Sequence, residues 1–178
     1  MKYIFYISFV LLTIGCSKQE IGPQGQTSEL LEGKKVLILN EGNFGWGNGS
    51  VSAYYPGHST CSNGVYAYVN GIGPGDVVQS GIRYNDRYLV VVNNSGKILD
   101  IDSTTLELRG VLNGFTSPRY ILPIGSNEAY VTDFLSNSIS RVNLSDYSVT
   151  TTITVGEWTE QMVEANGFVF ITAPAANV

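Results

Sequence analysis

Three short apolar runs, YLVVVNN (88–94), AYVTDFL (129–135) and FVFITAP (168–174), recur with Val91, Val131 and Ile171 spaced 40 residues apart. This spacing constrains the chain more than any composition figure does. It marks a supersecondary unit too small to bury its own apolar face, which must therefore lean on the next copy. Other parts recur in step. KILDID (97–102) and SISRVN (138–143) follow the first two runs, and ELRGVL (107–112) and SVTTTITVG (148–156) follow those. A weaker strand ending in a tight turn precedes each run, with turns at Asn85-Asp86, Gly125-Ser126-Asn127 and Asn166-Gly167.

Each unit thus reads as four short antiparallel strands in series, and the expectation is an all-β protein, a β-propeller of four-stranded blades. Stacked hairpins in an open sandwich or solenoid are the alternative. The propeller is preferred because the second strand of each unit is the most apolar, as a strand covered on both faces should be. In the first unit, KKVLILN (34–40) reads as the second strand, VSAYYP (51–56) as the third and VYAYVN (65–70) as the fourth, with residues 57–64 as an insertion. The residues supply three to four blades, so the sequence is expected to be part of a larger, seven-bladed ring. A small domain that closes by oligomerising is the alternative.

The first residues belong to a different kind of segment. MKYIFYISFVLLTIGC has one lysine, an apolar run over 3–14 and then Gly15 and Cys16. The run is short for a membrane span and has the form of a secretory signal. LLTIGC resembles a bacterial lipobox, with Thr13 where an aliphatic residue is usual; an ordinary signal peptide with an incidental Cys16 is the alternative. The expected organisation is a lipoprotein signal peptide over 1–15, a flexible polar tether over 16–32 carrying lipid on Cys16, and the incomplete propeller over 33–178. Without residues 1–15 the chain has nine Lys and Arg against fifteen Asp and Glu, a formal charge of −6, which excludes a basic nucleic-acid surface. Cys61 then has no disulfide partner and is either a small buried side chain or an unused thiol.

AYVTDFLSNSISRVNLSDYSVTTTITVG (129–156) resembles the 40-residue YVTN-type repeat of bacterial surface and periplasmic β-propellers, with Asp133 in the last place of the tetrad. LNEGNFGWGNGSVSAYYP (39–56), DVVQS (76–80), VVNNSGKI (91–98) and TSPRYI (116–121) are similar to lipid-anchored propellers that Bacteroidetes encode beside outer-membrane TonB-dependent transporters. Some of that group bind cobalamin at the cell surface. The resemblance implies an outer-membrane lipoprotein that captures a nutrient ligand, such as cobalamin, and delivers it to a TonB-dependent transporter. The alternative is a non-catalytic propeller that binds a protein or a glycan.

Strand alternation sorts the loops. Those after second and fourth strands open on one rim, and they are the elaborate ones: 41–50, 71–76, 93–96, 113–118, 133–137 and 156–160. This rim gathers Asn43, Phe44, Trp46, Asn94, Phe115, Arg119, Phe134, Trp158 and Gln161, the candidate ligand-binding residues, with Asn48, Asn137 and Glu160 nearby. Aromatic faces offer stacking area and amides offer directional hydrogen bonds, a combination suited to a large polar ligand. Each residue also has a plainer reading. Phe115 and Phe134 could plug gaps between blades, Trp158 could pack there too, and Arg119 could pair with a blade carboxylate. Asn93, Asn94 and Asp133 could cap turns. Phe44 and Trp46 lie among four glycines and have few local neighbours, so a contact role is favoured for them.

No G-x-S-x-G elbow, phosphate loop or zinc-protease motif occurs, and the single His58 with Cys61 does not make a zinc site. The expectation is a protein without catalytic residues, cofactor or metal; hydrolase and quinone-dependent dehydrogenase propellers are less favoured.

Overall fold

Val91, Val131 and Ile171 lie in three separate sheets, on strands Arg87–Val92 (β5), Glu128–Asp133 (β9) and Phe168–Ile171 (β13). The structure, a computed structural model, describes residues 34–174. The signal peptide and the lipid-bearing tether read from the sequence lie outside the described residues. The remaining strands are Val36–Asn40 (β1), Ser50–Tyr55 (β2), Thr60–Ser62 (β3), Val78–Tyr84 (β4), Lys97–Asp102 (β6), Leu108–Asn113 (β7), Pro118–Gly125 (β8), Ser138–Asn143 (β10), Ser148–Thr154 (β11) and Met162–Ala165 (β12). Two four-stranded antiparallel sheets, β4-β5-β6-β7 and β8-β9-β10-β11, are flanked by a three-stranded sheet β1-β2-β3 and by the hairpin β12-β13. The chain is an all-β protein with the blades of a β-propeller.

The apolar second strand works as a two-sided wedge. Side chains alternate across a strand, so Val90 and Val92 of β5 join Val51, Ala53 and Tyr55 of β2 in one core, with Leu99 and Ile101 of β6. Leu89 and Val91 face the other way and meet Ile121, Ala129 and Val131 of the following blade. Each buried aliphatic side chain of this kind contributes roughly 1.5–3 kcal/mol. The blade is therefore held by both neighbours rather than by a core of its own.

Successive first strands run in the same direction. Ser80 Oγ donates to the Arg119 carbonyl at 2.5 Å, and Tyr84 Oη donates to the Gly125 carbonyl at 2.7 Å, tying β4 to β8 near both of its ends. In contrast β1 runs opposite to β4. Its first residues lie by the β6–β7 turn, where Lys35 Nζ donates to the Thr104 carbonyl, and its last residue leads to a loop bonded to Gly75 just before β4. This direction is the one expected of a second strand.

The fourth place of that first sheet differs from expectation. VYAYVN does not form a strand: Val65–Asn70 is a short helix, α1, and the three-residue β3 occupies the fourth place inside the segment read as an insertion. Valine and tyrosine favour strands in isolation, but tertiary anchoring overrides them here. Gly64 (φ 64°) and Gly71 (φ 71°) bracket the helix in the left-handed region, and Val65 and Tyr66 are buried against β2 and the following blade. Asn70 then clasps the next blade, donating to the Leu106 carbonyl and accepting from the Leu108 N–H at 2.9 and 2.8 Å. Cys61, on β3, is an exposed free thiol rather than a buried side chain.

Candidate functional site

The elaborate loops share one rim and are laced to one another. Gly49 N–H donates to the Gly75 carbonyl, Phe115 N–H to the Gly96 carbonyl, Phe134 N–H to the Ser117 carbonyl and Thr159 N–H to the Asp133 carbonyl. Side chains at strand ends extend the lacing. Asn93 donates from Nδ2 to Ser117 Oγ and the Pro118 carbonyl, both at 2.9 Å. Asp133 accepts from the N–H groups of Thr116, Ser117 and Leu135 at 2.9–3.0 Å. Asp133 thus caps its own turn and also grips the preceding interblade loop, while Asn93 grips the following one.

Two clusters of the candidate residues stand on this rim. The first is the loop of residues 41–49. Its framework is polar: Asn48 Oδ1 accepts from Asn43 N–H at 2.8 Å, and Trp46 N–H donates to the Asn43 carbonyl at 3.1 Å. Gly42 has φ 77°, and a Cβ there would come within 2.8 Å of the Asn48 and Gly49 backbone, so the fold of this loop requires glycine. Asp76 pins the loop to the neighbouring blade. Its Oδ2 accepts from Gly45 N–H at 2.8 Å and from Asn94 Nδ2 at 2.5 Å, while its own N–H donates to Ser95 Oγ. The Asn94 amide, with the backbone N–H groups of Gly45, Gly47 and Val77, holds the Asp76 carboxyl below the usual carboxylate range despite its desolvation. This anchored loop presents Phe44 and Trp46 at 75% and 76% exposure.

The second cluster centres on Arg119. Its Nε donates to both carboxylate oxygens of Glu160 at 3.1 and 2.9 Å, and Nη1 donates to Gln79 Oε1 at 2.6 Å. The guanidinium carbon lies 5.6 Å from the centroid of the Phe134 ring, and Phe134 meets Trp158 edge-on with centroids 4.6 Å apart. Arg119 therefore follows its plainer reading, a salt bridge to a blade carboxylate. Phe134 remains 41% exposed, whereas Trp158 is partly covered. Phe115 packs against the interblade core, as a plug does. Gln161 is exposed, and its backbone pairs with Thr172. Asn94 bonds Asp76 rather than its own turn.

Gln79 and Asp76 were missed from sequence, although a signal for Gln79 was present. Gln79, Arg119 and Glu160 stand 40 and 41 residues apart, so they occupy the same place in three successive units. Among the described residues, no group of three or more His, Cys, Asp or Glu could hold a metal ion.

Blades that shelter one another, with a rim of anchored loops and displayed aromatic rings, define this protein as a β-propeller. Residues 34–178 match the family described as "Domain of unknown function (DUF5074)". The chain belongs to that family. A search of curated proteins finds no match.

Among solved structures, it is similar to the computationally designed Ika8 protein, with TM-score 0.56 and 11% identity over 80% of this chain and 41% of that one. A protein of unknown function from Bacteroides caccae aligns at TM-score 0.44 and 14% identity, over 76% of this chain and 56% of that one. Hydrazine synthase from Kuenenia stuttgartiensis aligns at 0.46 and 16%, over 49% and 26%. The chain spans between 26% and 56% of the length of these structures. At 11% identity the likeness to the designed protein concerns fold alone.

Proposed function

We propose that this chain is a ligand-binding propeller that works without catalysis: a surface-exposed, lipid-anchored outer-membrane protein that captures a nutrient on its aromatic rim and delivers it to a TonB-dependent transporter. Cobalamin is the candidate ligand, because its amide-fringed, partly flat ring calls for stacking area beside amide hydrogen-bonding groups.

The observation that carries the binding reading is the 41–49 loop. Its backbone is held by Asn48 and Asp76, so it has little freedom left to lose on binding, yet it spends that order on keeping Phe44 and Trp46 in water. Preorganised aromatic side chains are an efficient way to gain contact area at low entropic cost. A second reading is a rim that binds a protein or a glycan, because Phe44 and Trp46, displayed in water, offer the same stacking area to a sugar ring or an apolar side chain.

Equilibrium dialysis and calorimetry of the full-length protein with cyanocobalamin test the first reading. Retention at micromolar vitamin, weakened by replacing Phe44 and Trp46 with Ala, is the expected result. No heat and no retention would leave the protein or glycan reading in its place.

A further inference from the structure

A cavity of about 650 Å³ opens on the rim opposite the aromatic loop, beside the start of β1, with Lys34, Lys35, Arg83, Tyr88, Ser103 and Thr104 among its lining residues. Its electrostatics run against those of the chain. The protein carries a formal charge of −5, yet among the described residues three cations and no carboxylate line this space. Four other arginines, Arg87, Arg109, Arg119 and Arg141, each sit in an ion pair. Among the described residues Arg83 has no carboxylate partner, and neither has the exposed Lys34. Lys35 donates to the Thr104 carbonyl at 2.7 Å. Burial and the charge of Arg83 lower its pKa against the opposing pull of Asp102. Asp102 is itself engaged, accepting from the N–H groups of Thr104 and Thr105 and from Arg109.

We infer that this cavity binds a phosphomonoester. Such a group carries about −1.5 to −2 charge at neutral pH, which offsets gathered cations better than a single carboxylate can. A guanidinium matches two phosphate oxygens at once, and the lysines add point charges beside it. The hydroxyls of Tyr88, Ser103 and Thr104 are placed for the polar remainder of the molecule, and the volume leaves room for a sugar or glycerol moiety. Two sources offer this chemistry, a soluble sugar phosphate and a phosphate-bearing lipid headgroup. The second is relevant because Lys34 closely follows the segment read as the tether.

The test uses the full chain in two arms. One is calorimetric titration with glucose 6-phosphate, with glucose as the neutral control. The other is co-sedimentation with phosphatidylcholine vesicles with and without phosphatidic acid. Saturable binding is expected in at least one arm, with glucose and pure phosphatidylcholine inert, and the responding arm identifies the source. The double variant Lys34→Gln, Arg83→Gln should weaken that binding by about tenfold or more, with an unchanged melting temperature. Binding in neither arm, equal retention by phosphatidylcholine alone, or full affinity in the double variant overturns the assignment.

Discussion

Tyr147, in the turn between β10 and β11, reaches back to the preceding blade and donates its hydroxyl to Asp100 Oδ2 on β6 at 3.1 Å. Asp100 is fully buried, and its other partner is Arg87 at 2.6 Å. Burial raises the Asp100 pKa and the Arg87 charge opposes that rise, so each donor matters to keeping a carboxylate here. The space for the tyrosine ring comes from Gly110, where a Cβ would lie 2.1 Å from it.

Gly110→Ala is therefore expected to displace the ring and break the latch, lowering stability by about 1–3 kcal/mol. Tyr147→Phe should cost about 1 kcal/mol by the loss of one partly buried hydrogen bond. The two changes act on one contact, so in denaturant titrations the double variant should lose less than the sum of the single ones. Full additivity would refute the latch.

A pH dependence follows from Asp102, whose carboxyl is held down to about 2, first by the Thr105 N–H and also by Arg109 and the Thr104 N–H. Its folded pKa is depressed below the usual 3.8. Its contribution is thus fully present above that usual value and lost as pH falls toward about 2. Asp102→Asn should melt lower than the parent at pH 6, and the gap should close as the pH is taken below the usual carboxylate value. A gap that stays constant across that range would count against the assignment.

The two tryptophans should behave differently. Trp46 is 76% exposed, and Trp46→Ala should leave the melting temperature unchanged while weakening ligand capture. Trp158 packs on Phe134, so Trp158→Ala should lower stability by about 0.5–1.5 kcal/mol from the lost ring pair, together with its share of apolar burial. The coverage of Trp158 by a ring from a neighbouring loop is what separates them.

Asp76→Ala should release the 41–49 loop without touching either displayed ring. Hydrogen exchange at the Gly45 amide is expected to speed up and ligand affinity to fall, although Phe44 and Trp46 remain. If affinity holds while exchange accelerates, the order of this loop has no part in binding.

The strand plan was legible because it rests on local patterns: apolar runs at a constant spacing and turn residues at Asn85 (φ 54°) and Asn166 (φ 53°), both in the left-handed region in the structure. The rim was legible because strand alternation alone decides which loops share a side. What escaped were contacts between units. VYAYVN reads as a strand by propensity, and only its docking on β2 and the flanking Gly64 and Gly71 make it a helix. Arg119 sits in a loop-like TSPRY stretch, and nothing next to it in sequence names Glu160 or Gln79. Those partners emerge only when equivalent positions of successive units are compared.

Gln79, Arg119 and Glu160 follow one another around the disc as amide, cation and anion, each chosen for the neighbour it faces. Duplicating the unit that contains Arg119 would set two guanidinium groups side by side, and exchanging its order with the next would part the cation from the amide. The wedges repeat one strand plan yet are keyed in order, because the Arg119 guanidinium has its matched partners only with the Gln79 unit on one side and the Glu160 unit on the other.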